Sequence, residues 1–482
     1  MPVKRTVFSL LVITSYLLFS CNSGPLTHGP LASPRVAQNF DRPAGSLLIA
    51  GGAVKANNAS LFNKFIELSG GAMNARIAIF TTASGDPSQG AAYYKETFNR
   101  YGVPRPNILI IPIAQRDDLV TTEIDESFWR HSGLLTRTEI KQLFADEFAS
   151  RIDDPKEVQR LVEKRMSTHG VLGSDEIVKM LEGVTGIWFG GGWQGRIRDL
   201  LMEERLGEYT DGPVLEKIRE LHHRGAVIGG TSAGAAIMSN PMIDGGGSLE
   251  ALLQGATEND PYYDDSDGRV YLTPGLGFWP DVLADQHFIR RGRFGRLIAA
   301  LAYLEMPLGV GIDENTAIVV QGDEIEVVGE TGAIIIDMSQ AVINQLAPME
   351  ATGIRLSYLE EKDRYNFRTG EFQFADYKVN SLRGDEAGST PPLVNGNLFA
   401  PDALLYHMIR DLVDHKTREN FGIAYESRNL LQGVQPGDGI EMRFYKRADT
   451  NGFWGRKIFS GTAQFSVFNV YVDIRPIKVR VE

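Results

Sequence analysis

The sequence predicts an α/β fold in which a mostly parallel sheet is covered by helices on both faces. Short apolar runs alternate with segments of helical spacing through the first half of the chain. These runs are continuously apolar, as strands buried on both faces of a parallel sheet are. Several of them end in glycines, at 51–52, 190–192 and 229–230. Because strand–helix–strand crossovers place helices on the faces of the sheet, we expect a three-layer sandwich.

The individual elements follow from apolar periodicity and from the residues that end each run. Strands are predicted at residues 46–50, 76–80, 107–112, 186–189, 226–228, 282–284, 310–312 and 317–320. Helices are predicted at residues 58–68, 91–101, 200–206, 214–224 and 402–416. Residues 324–328 and 333–337 have strand character and follow each other closely, so we expect them to form a β-hairpin.

The pattern divides the chain into a leader, a tether and two folded regions. Residues 1–21 form the leader, and the Pro-, Ser- and Gly-rich residues 22–45 form a flexible tether. Residues 46–340 form the main α/β domain, which a charged, mostly helical insertion interrupts at 113–170. Residues 341–482 form a mixed α+β accessory region in which we find no catalytic constellation.

Composition and charge narrow the functional classes. Of the 482 residues, 43% are hydrophobic and 23% are charged, as in an ordinary globular protein. The formal net charge of -12 argues against nucleic acid as a partner, because phosphate binding needs a basic surface. A local basic pocket stays open, and Arg291, Arg293 and Arg296 are its candidates.

The single cysteine, Cys21, lies where a lipid anchor would be attached. Residues 1–5 are a short basic segment, and residues 7–19 are an apolar segment too short to span a membrane comfortably. The segment 18–21 resembles a bacterial lipobox, which predicts cleavage before Cys21, lipidation of its thiol and an extracytoplasmic lipoprotein. Asn22 follows, which favours the outer membrane or cell surface over the inner membrane. The alternative is an ordinary signal peptide with an incidental cysteine.

Ser232 stands in a Gly-Thr-Ser-Ala-Gly segment, residues 230–234, shortly after a predicted strand. This is the form of a nucleophile elbow, in which a serine occupies a sharp turn between a strand and a helix. Small neighbours are needed because strained backbone leaves little room for side chains. The N–H of Ala233, in the first turn of the following helix, is then a candidate donor to a developing oxyanion. The alternative is a plain strand-to-helix turn.

Two later segments supply the partners that a serine nucleophile needs. His287 follows the predicted strand at 282–284, and the adjacent carboxylates Asp313 and Glu314 follow the predicted strand at 310–312. Functional loops collect at this end of a parallel sheet, so we expect the three segments to meet there. For His287 alone, a buried structural histidine is the alternative.

The acidic loop at residues 264–268 does not fit a calcium site. The register of a calcium-binding loop places Tyr263 at the first ligand position and Pro274 at the twelfth, where carboxylates are required. We therefore interpret this loop as a solvated acidic segment.

These segments together resemble the cyanophycinase family of serine peptidases, which includes the α-aspartyl dipeptidases. The matching residues are Gly229-Gly230-Thr231-Ser232-Ala233-Gly234-Ala235, Asp285-Gln286-His287-Phe288, Arg291, Arg293, Gly295-Arg296-Leu297 and Gly311-Ile312-Asp313-Glu314. The resemblance covers roughly residues 46–340 and does not reach the C-terminal region. It implies the flavodoxin-like, class I glutamine-amidotransferase-like variety of sandwich, because the α/β-hydrolase triad runs in the order Ser, Asp or Glu, His.

The resemblance implies Ser232 as nucleophile, His287 as general base and Glu314 as the carboxylate that orients the histidine. A serine hydroxyl is a poor nucleophile at neutral pH, so an imidazole must take its proton. A carboxylate then holds the imidazole tautomer and stabilises the imidazolium. Asp313 competes for the third role, and since adjacent residues of a strand face opposite ways, only one of the two can point at His287. The family pattern favours Glu314.

The resemblance also implies the residues of a substrate pocket. Its substrate-binding residues are Gln194, Asp285, Gln286, Arg291, Arg293 and Arg296. The planar guanidinium groups suit substrate carboxylates, and the alternative is a solvated basic helix face. For Arg291 and Arg293 to reach one pocket, the helix must begin near Gly292. Gly191 or Gly192 is implied as a second oxyanion donor beside Ala233.

The chain departs from the family pattern at two places near this pocket. Trp193 stands where a small polar residue is usual, directly before Gln194. Val54 and Lys55 follow the first glycine turn, where an acidic residue is often found. These departures leave the chemistry intact and concern the choice of substrate.

The resemblance implies a serine-type exopeptidase for aspartyl peptide bonds that needs neither a metal nor an organic cofactor. The expected substrate is cyanophycin, a polyaspartate that carries arginine on its side chains, cleaved to β-Asp-Arg dipeptides. One alternative is an extracytoplasmic isoaspartyl or α-aspartyl peptidase with another substrate. A second is a non-catalytic lipoprotein that binds peptides or glycans through its C-terminal region. Members of the family often form dimers, so the resemblance adds a homodimer to the expected partners, beside the peptide substrate and the membrane.

Overall fold

The computed structural model of the chain describes residues 44–113, 134–168, 172–258, 268–382, 384, 391, 393–401, 404–426, 437–457 and 461–479. The predicted leader with Cys21, nearly all of the predicted tether and most of the acidic loop at 264–268 lie outside these residues. Among the described helices, none is long and apolar enough to cross a membrane.

The first half of the chain alternates strands and helices. Its elements are β1 (Leu47–Ala50), α1 (Ala59–Leu68), β2 (Ile77–Phe80), α2 (Pro87–Arg100), β3 (Ile108–Ile111), α3 (Arg137–Ala149), α4 (Pro155–Thr168), α5 (Ser174–Met180), β4 (Gly186–Phe189), α6 (Gln194–Leu201), β5 (Met202–Arg205), β6 (Glu208–Asp211), α7 (Pro213–His223), β7 (Val227–Thr231) and α8 (Ala233–Ala236). The helix predicted at 200–206 is wrong, because α6 ends at Leu201 and the chain then turns back. Leu206, with φ of +56°, lies in the turn between β5 and β6.

Among the described residues, nine strands form a sheet at whose centre the strands of the first half lie. Five of its strands are mutually parallel and lie in the order β3, β2, β4, β7, β1. Beyond β1 the sheet continues with antiparallel strands from later in the chain. Ala50 pairs with Thr231, and Phe189 pairs with Gly230, so the carboxyl ends of β1, β4 and β7 lie side by side. This confirms the predicted α/β fold and brings the glycine turns of the sequence to one edge.

The two faces of this sheet are buried under different helices. Leu48 and Ala50 of β1 lie in a cluster with the aromatic side chains of α1 and α2. Leu47 and Ile49 point the other way, into a cluster with the apolar side chains of α6 and α7. Alternation of side chains along a strand therefore buries both faces and produces the three layers.

The second half of the chain is mostly strands. Its elements are β8 (Met242–Gly245), α9 (Ser248–Gln254), β9 (Ala256–Thr257), β10 (Val270–Thr273), β11 (Leu283–Asp285), α10 (Phe294–Tyr303), β12 (Leu308–Ile312), β13 (Thr316–Gln321), β14 (Glu324–Gly329), β15 (Gly332–Asp337), β16 (Val342–Leu346), β17 (Met349–Glu360), β18 (Arg364–Asn366), β19 (Glu371–Gln373), β20 (Asn380–Leu382), β21 (Val394–Gly396), α11 (Leu404–Val413), β22 (Glu419–Tyr425), β23 (Gly437–Tyr445), β24 (Asn451–Arg456) and β25 (Ala463–Val479).

A second sheet, of eleven strands, begins at β11 and β12 and continues through β15 and β17 to β25. The hairpin predicted from residues 324–337 is wrong, because β14 pairs with β13 in the first sheet and β15 pairs with β12 in the second. The chain changes sheets at Gly329, whose φ is +128°. Strands on both sides of residue 341 therefore share one sheet and one core. The division into a main domain and an accessory region stays a prediction.

The predicted insertion is helical where the structure describes it. Helices α3 and α4 pack against each other around a small core of their own. Its buried side chains are Ile140, Phe144, Val158, Val162 and Met166. The guanidinium of Arg165 lies 4.6 Å from the ring centroid of Phe144 and pairs with Glu147, which closes one end of this core.

A buried ionic cluster joins β17 to β25. The Lys378 ammonium donates to Asp363 Oδ2 and to Ser466 Oγ, each at 2.7 Å. Glu360 accepts from Tyr358 Oη at 2.8 Å and from the Phe465 N–H at 2.8 Å. Burial raises the pKa of the Glu360 carboxyl from 4.5 to about 7, although Lys378 opposes the shift.

We expect Glu360→Gln to flatten the pH dependence of stability. Between pH 4.5 and 7, Glu360 is ionised in the unfolded chain and protonated in the folded protein, so stability falls as pH rises through this window. Glutamine does not titrate, and it can accept from Phe465 N–H while donating to Tyr358. Denaturant unfolding across this pH range measures the change. Glu350→Gln, at an exposed site on the same strand, is the control, and an unchanged slope in Glu360→Gln would contradict the assignment.

Candidate functional site

Ser232 occupies a sharp turn between β7 and α8. Its backbone has φ of +55° and ψ of -110°, a conformation that L-residues rarely adopt. The Ser232 N–H donates to the carbonyl of Ala50 at 3.0 Å and so ties the turn to β1. A Cβ on Gly230 would overlap the backbone of Gly234, and a Cβ on Gly234 would overlap the carbonyl of Phe189. The small residues of the motif are therefore required by the close packing of this turn.

The structure brings together Ser232, His287 and Glu314. Ser232 Oγ lies 2.9 Å from His287 Nε2, and His287 Nδ1 lies 2.6 Å from Glu314 Oε1. A carboxylate at Nδ1 holds the proton on that nitrogen, which leaves Nε2 to accept from the serine hydroxyl. The arrangement is that of a serine nucleophile, a base and a carboxylate that orients the base.

The backbone turn that follows β1 contacts all three of these segments. The consecutive carbonyls of Ala50, Gly51 and Gly52 accept from the N–H groups of Ser232 at 3.0 Å, His287 at 2.6 Å and Asn315 at 2.8 Å. Gly52 has φ of +117°, and a Cβ at this position would overlap the imidazole of His287. The glycine turn therefore makes room for the base and aligns the backbones on either side of it.

Asp313 has a different role from Glu314. Its Oδ1 accepts from the N–H of Arg290 at 2.9 Å, so it holds the turn after His287 and does not bond the imidazole. Burial raises the pKa of the Asp313 carboxyl. The two carboxylates do point in different directions, although they lie in a turn between β12 and β13 and not within a strand.

The surroundings of His287 favour a neutral imidazole. Burial lowers the pKa of His287, and the nearby charges of Arg291 and Arg293 lower it further, whereas Glu314 acts in the opposite direction. His287 is 6% exposed as a whole residue, so its imidazole is shielded from water. Its Nε2 still lies within hydrogen-bond distance of Ser232 Oγ. A histidine that is neutral at pH 7 can act as a general base.

Of the two glycines predicted as oxyanion donors, Gly191 lies against Ser232, whereas Gly192 packs against Ala83. A Cβ built on Gly191 would lie 3.1 Å from Ser232 Cβ and 3.7 Å from Oγ. Gly192 has φ of +142°, and a Cβ there would overlap the carbonyl of Ala83. Ala233 is the first residue of α8, where N–H groups have no intrahelical partner. Their role as oxyanion donors stays a prediction.

Two of the predicted arginines lie beside the histidine. Helix α10 begins at Phe294, so Arg291 and Arg293 both belong to the preceding turn, in which Gly292 has φ of +59°. Arg293 Nη1 donates to the carbonyl of Gln286 at 2.8 Å, and burial lowers the pKa of Arg293 to about 10. Arg291 is exposed. Both guanidinium groups act electrostatically on His287.

Asp285 and Arg296, both predicted to bind substrate, pair with each other in the structure, and their contact with substrate stays a prediction. Arg296 binds Asp285 through two hydrogen bonds, of 2.8 Å and 2.6 Å, and both side chains are almost completely buried. Arg296 Nη1 also donates to the carbonyl of Gly246 at 3.1 Å. Each charged group therefore neutralises the other. The bond from Arg296 to the Gly246 carbonyl also holds that loop in place. The sequence could not reveal this pairing, because a carboxylate and a guanidinium near the site can equally well bind substrate or bind each other.

The two predicted glutamines are also buried. Gln194 Nε2 donates to the carbonyls of Ile243 at 3.1 Å and Asp244 at 2.9 Å, which anchors that loop. Gln286 Oε1 is buried without a hydrogen-bond partner among the described residues. Trp193 stacks against Arg196, whose guanidinium carbon lies 5.9 Å from the ring centroid. A contact of either glutamine with substrate stays a prediction.

Sequence reasoning missed Asn58 and Asn315. Asn58 Nδ2 donates to the carbonyl of Asn315 at 2.8 Å and to its Oδ1 at 3.0 Å. Asn58 is the N-terminal cap of α1 in the structure, where its side chain accepts from the N–H of Leu61. Its second set of contacts, to a residue 257 positions away, leaves no signal in a single sequence.

Within the described part of the chain, no group of three or more His, Cys, Asp or Glu side chains could hold a metal ion. The expectation that the chemistry needs no cofactor stays a prediction.

The chain is similar to several known proteins. The profile of peptidase family S51 matches residues 170–328. The chain is 34% identical over 271 residues to the cyanophycinase of Geminocystis herdmanii, which covers 54% of this chain and 83% of that protein. It is 30% identical over 304 residues to the cyanophycinase of Nostoc sp., which covers 61% of this chain and 87% of that protein. A solved peptidase from an acI-B1 Actinobacterium is 18% identical with a TM-score of 0.38, covering 67% of this chain and 97% of that one.

The relatives are matched over most of their length, and the matched residues 170–328 contain Ser232, His287 and Glu314. The chain therefore belongs to peptidase family S51, the cyanophycinase-like serine-type peptidases.

Proposed function

We propose that the chain is an exopeptidase that cleaves aspartyl peptide bonds and that its substrate is cyanophycin. The observation that carries the proposal is the hydrogen-bonded series from Ser232 through His287 to Glu314. The relatives named as cyanophycinases support the choice of substrate.

The chemistry proceeds through an acyl-enzyme. Ser232 Oγ attacks the scissile carbonyl while His287 Nε2 takes the hydroxyl proton, and Glu314 stabilises the imidazolium that forms. The oxyanion receives hydrogen bonds from N–H groups at Ala233 and at Gly191 or Gly192. The imidazolium then protonates the leaving amine, and the acyl-enzyme remains as a Ser232 ester. Water, activated by His287, hydrolyses this ester and restores the serine.

Arg291 and Arg293 give the pocket its preference for acidic substrates. Both act on His287, so both lie near the reacting atoms. Guanidinium groups bind carboxylates through paired hydrogen bonds, and an aspartyl residue supplies such a carboxylate. Arg296 already binds Asp285. We therefore assign the contact with the substrate carboxylate to Arg291 and Arg293.

A second candidate is a peptidase for isoaspartyl or α-aspartyl peptides other than cyanophycin. The observation that favours it is the bulky Trp193 beside the Gly191–Gly192 turn, where it stacks on Arg196. A large side chain stands here, next to the turn that carries Gly191, in place of the small polar residue usual in the family, and this departure favours a substrate other than cyanophycin.

Incubation of the full chain with purified cyanophycin tests the proposal directly. We expect β-Asp-Arg dipeptide, detected by mass spectrometry, from the wild type and none from Ser232→Ala, because the nucleophile is lost. Circular dichroism checks that the variant is folded. A wild type that a fluorophosphonate probe labels at Ser232, but that releases no dipeptide, would favour the second candidate and direct the assay to isoaspartyl peptides. Equal dipeptide release by Ser232→Ala would refute the mechanism.

Substitution of Arg291 tests the electrostatics of the base. Arg291 lowers the pKa of His287, so Arg291→Gln should raise that pKa and move the acid limb of the pH profile to higher pH. The rate of Ser232 labelling by a fluorophosphonate is the readout, since that probe has no carboxylate for Arg291 to bind. Arg291→Lys keeps the charge and serves as the control, with an unshifted midpoint. A shift to lower pH in Arg291→Gln would show that the assigned electrostatics are wrong.

We further propose that the protein is an extracytoplasmic lipoprotein anchored through Cys21, on the basis of the lipobox-like segment 18–21. In a bacterial host, Cys21→Ser should abolish the incorporation of labelled fatty acid and release the protein from the membrane fraction. Ser20→Ala, which keeps the cysteine, is the control. Unchanged processing and membrane association of Cys21→Ser would disprove the anchor.

A further inference from the structure

The turn that carries Glu314 has an unusual backbone. Asn315, directly after Glu314, has φ of +55°, in the left-handed region that asparagine tolerates better than most residues. It is 4% exposed, so its polar groups need partners within the protein. The backbone conformation at Asn315 helps to set the direction in which the side chain of the preceding Glu314 points.

Asn58 supplies most of the side-chain contacts that hold Asn315. Its Nδ2 donates to the Asn315 carbonyl at 2.8 Å and to Asn315 Oδ1 at 3.0 Å. The N–H of Lys55 donates to the same Oδ1 at 3.0 Å. Asn315 Nδ2 is buried without a partner among the described residues, so the orientation of this amide depends on the two donors at Oδ1.

Glu314 itself is weakly held. Its side chain is 26% exposed, and the described hydrogen bond of its carboxylate goes to His287. Its backbone carbonyl accepts from Thr331 Oγ1 at 2.8 Å. A half-buried carboxylate on a flexible side chain must be placed by the backbone on either side of it. On one side Asp313 bonds the turn after His287, and on the other side Asn315 is bonded by Asn58.

We propose that Asn58 is a positioning residue for catalysis: it holds Asn315 in the left-handed conformation and thereby aims Glu314 at His287 Nδ1. The inference rests on the proposed role of Glu314. Asn58 is well placed for this task because its Oδ1 accepts from Leu61 N–H, which anchors the side chain to the first turn of α1. The rigid helix therefore supports the orienting carboxylate of the site, although the two are far apart in the sequence.

Asn58→Ser separates this role from helix capping. Serine keeps an oxygen that can accept from Leu61 N–H but cannot donate to both oxygens of Asn315. We expect the plateau rate of Ser232 labelling to fall on the order of 10-fold or more, since small displacements of catalytic groups have large effects on rate. Because Glu314 raises the pKa of His287, a misdirected Glu314 should also move the acid limb of the profile to lower pH.

Ser69→Ala is the matched control on the same helix. Ser69 Oγ donates to the Phe65 carbonyl at 2.8 Å at the far end of α1, 11 residues from Asn58 and so about 16 Å away at about 1.5 Å per residue. This variant weakens the helix without touching Asn58, so we expect it to lower the thermal midpoint and leave the pH profile unshifted. A profile that shifts equally in Ser69→Ala would show that helix stability alone explains the effect, and would overturn the proposal.

A double-mutant cycle with Glu314→Gln decides whether Asn58 acts through Glu314. If it does, Asn58→Ser should reduce the labelling rate strongly in the wild type and hardly at all in Glu314→Gln. The same fold-loss in both backgrounds, or no loss in either, would overturn the proposal. An unchanged rate in Glu314→Gln alone would refute the proposed role of Glu314 and the positioning role with it.

Asn315→Gly provides a second variant in case Asn58→Ser does not fold. Glycine adopts the left-handed conformation without strain, but it lacks the Oδ1 that binds Asn58 and Lys55. We expect a weaker form of the same signature, with a lower plateau and an acid limb at lower pH. A wild-type profile in Asn315→Gly would count against the proposal, because the turn would then need no side-chain contacts.

Discussion

The structure of the site depends on three consecutive carbonyl groups at the end of β1. Ala50, Gly51 and Gly52 accept hydrogen bonds from the backbones of Ser232, His287 and Asn315. Each of these donors lies at the end of a different strand, and their segments are separated by long stretches of chain. The turn can serve all three because Gly51 and Gly52 carry no side chains that would occupy the place of the imidazole and the β12–β13 turn. One short backbone segment therefore helps to set the mutual distances of Ser232, His287 and Glu314, the proposed nucleophile, base and orienting carboxylate.

This arrangement places backbone strain at Ser232 and His287 and directly beside Glu314. Ser232, His287 and Asn315 have φ of +55°, +48° and +55°, respectively. Non-glycine residues in this region are destabilised by about 1–3 kcal/mol each and persist only where the surroundings over-determine them. Each of the three donates its N–H to the turn after β1, so the bonds that align the site are also the ones that hold the strained conformations. A site of this kind needs little reorganisation when charge develops on Ser232 and His287.

The sequence predicted the chemistry of the site better than the roles of its supporting residues. Ser232 could be recognised as a candidate because a nucleophile elbow needs small residues around a serine at a strand-to-helix turn. The role of His287 and the choice of Glu314 over Asp313 came from the resemblance to the family. The pairing of Asp285 with Arg296 could not be recognised, since a carboxylate and a guanidinium near a pocket look the same whether they face substrate or each other. Asn58 could be recognised only as a helix cap. The strands β14 and β15 were predicted but assigned to a hairpin, because strand spacing does not reveal to which of two sheets a strand belongs.

The two sheets divide the three residues of the proposed triad between them. Ser232 follows β7 of the first sheet, whereas His287 follows β11 and Glu314 follows β12 of the second. The second sheet continues from Gly311 of β12 through Ile334 of β15 to Tyr358 of β17 and on to β25. Tyr358 bonds Glu360, whose backbone N–H donates to Asp363 of the buried ionic cluster. The C-terminal strands are therefore part of the support for the base and its carboxylate. Because the nucleophile belongs to a different sheet, the turn after β1 is the point at which the two halves of the site are brought into register.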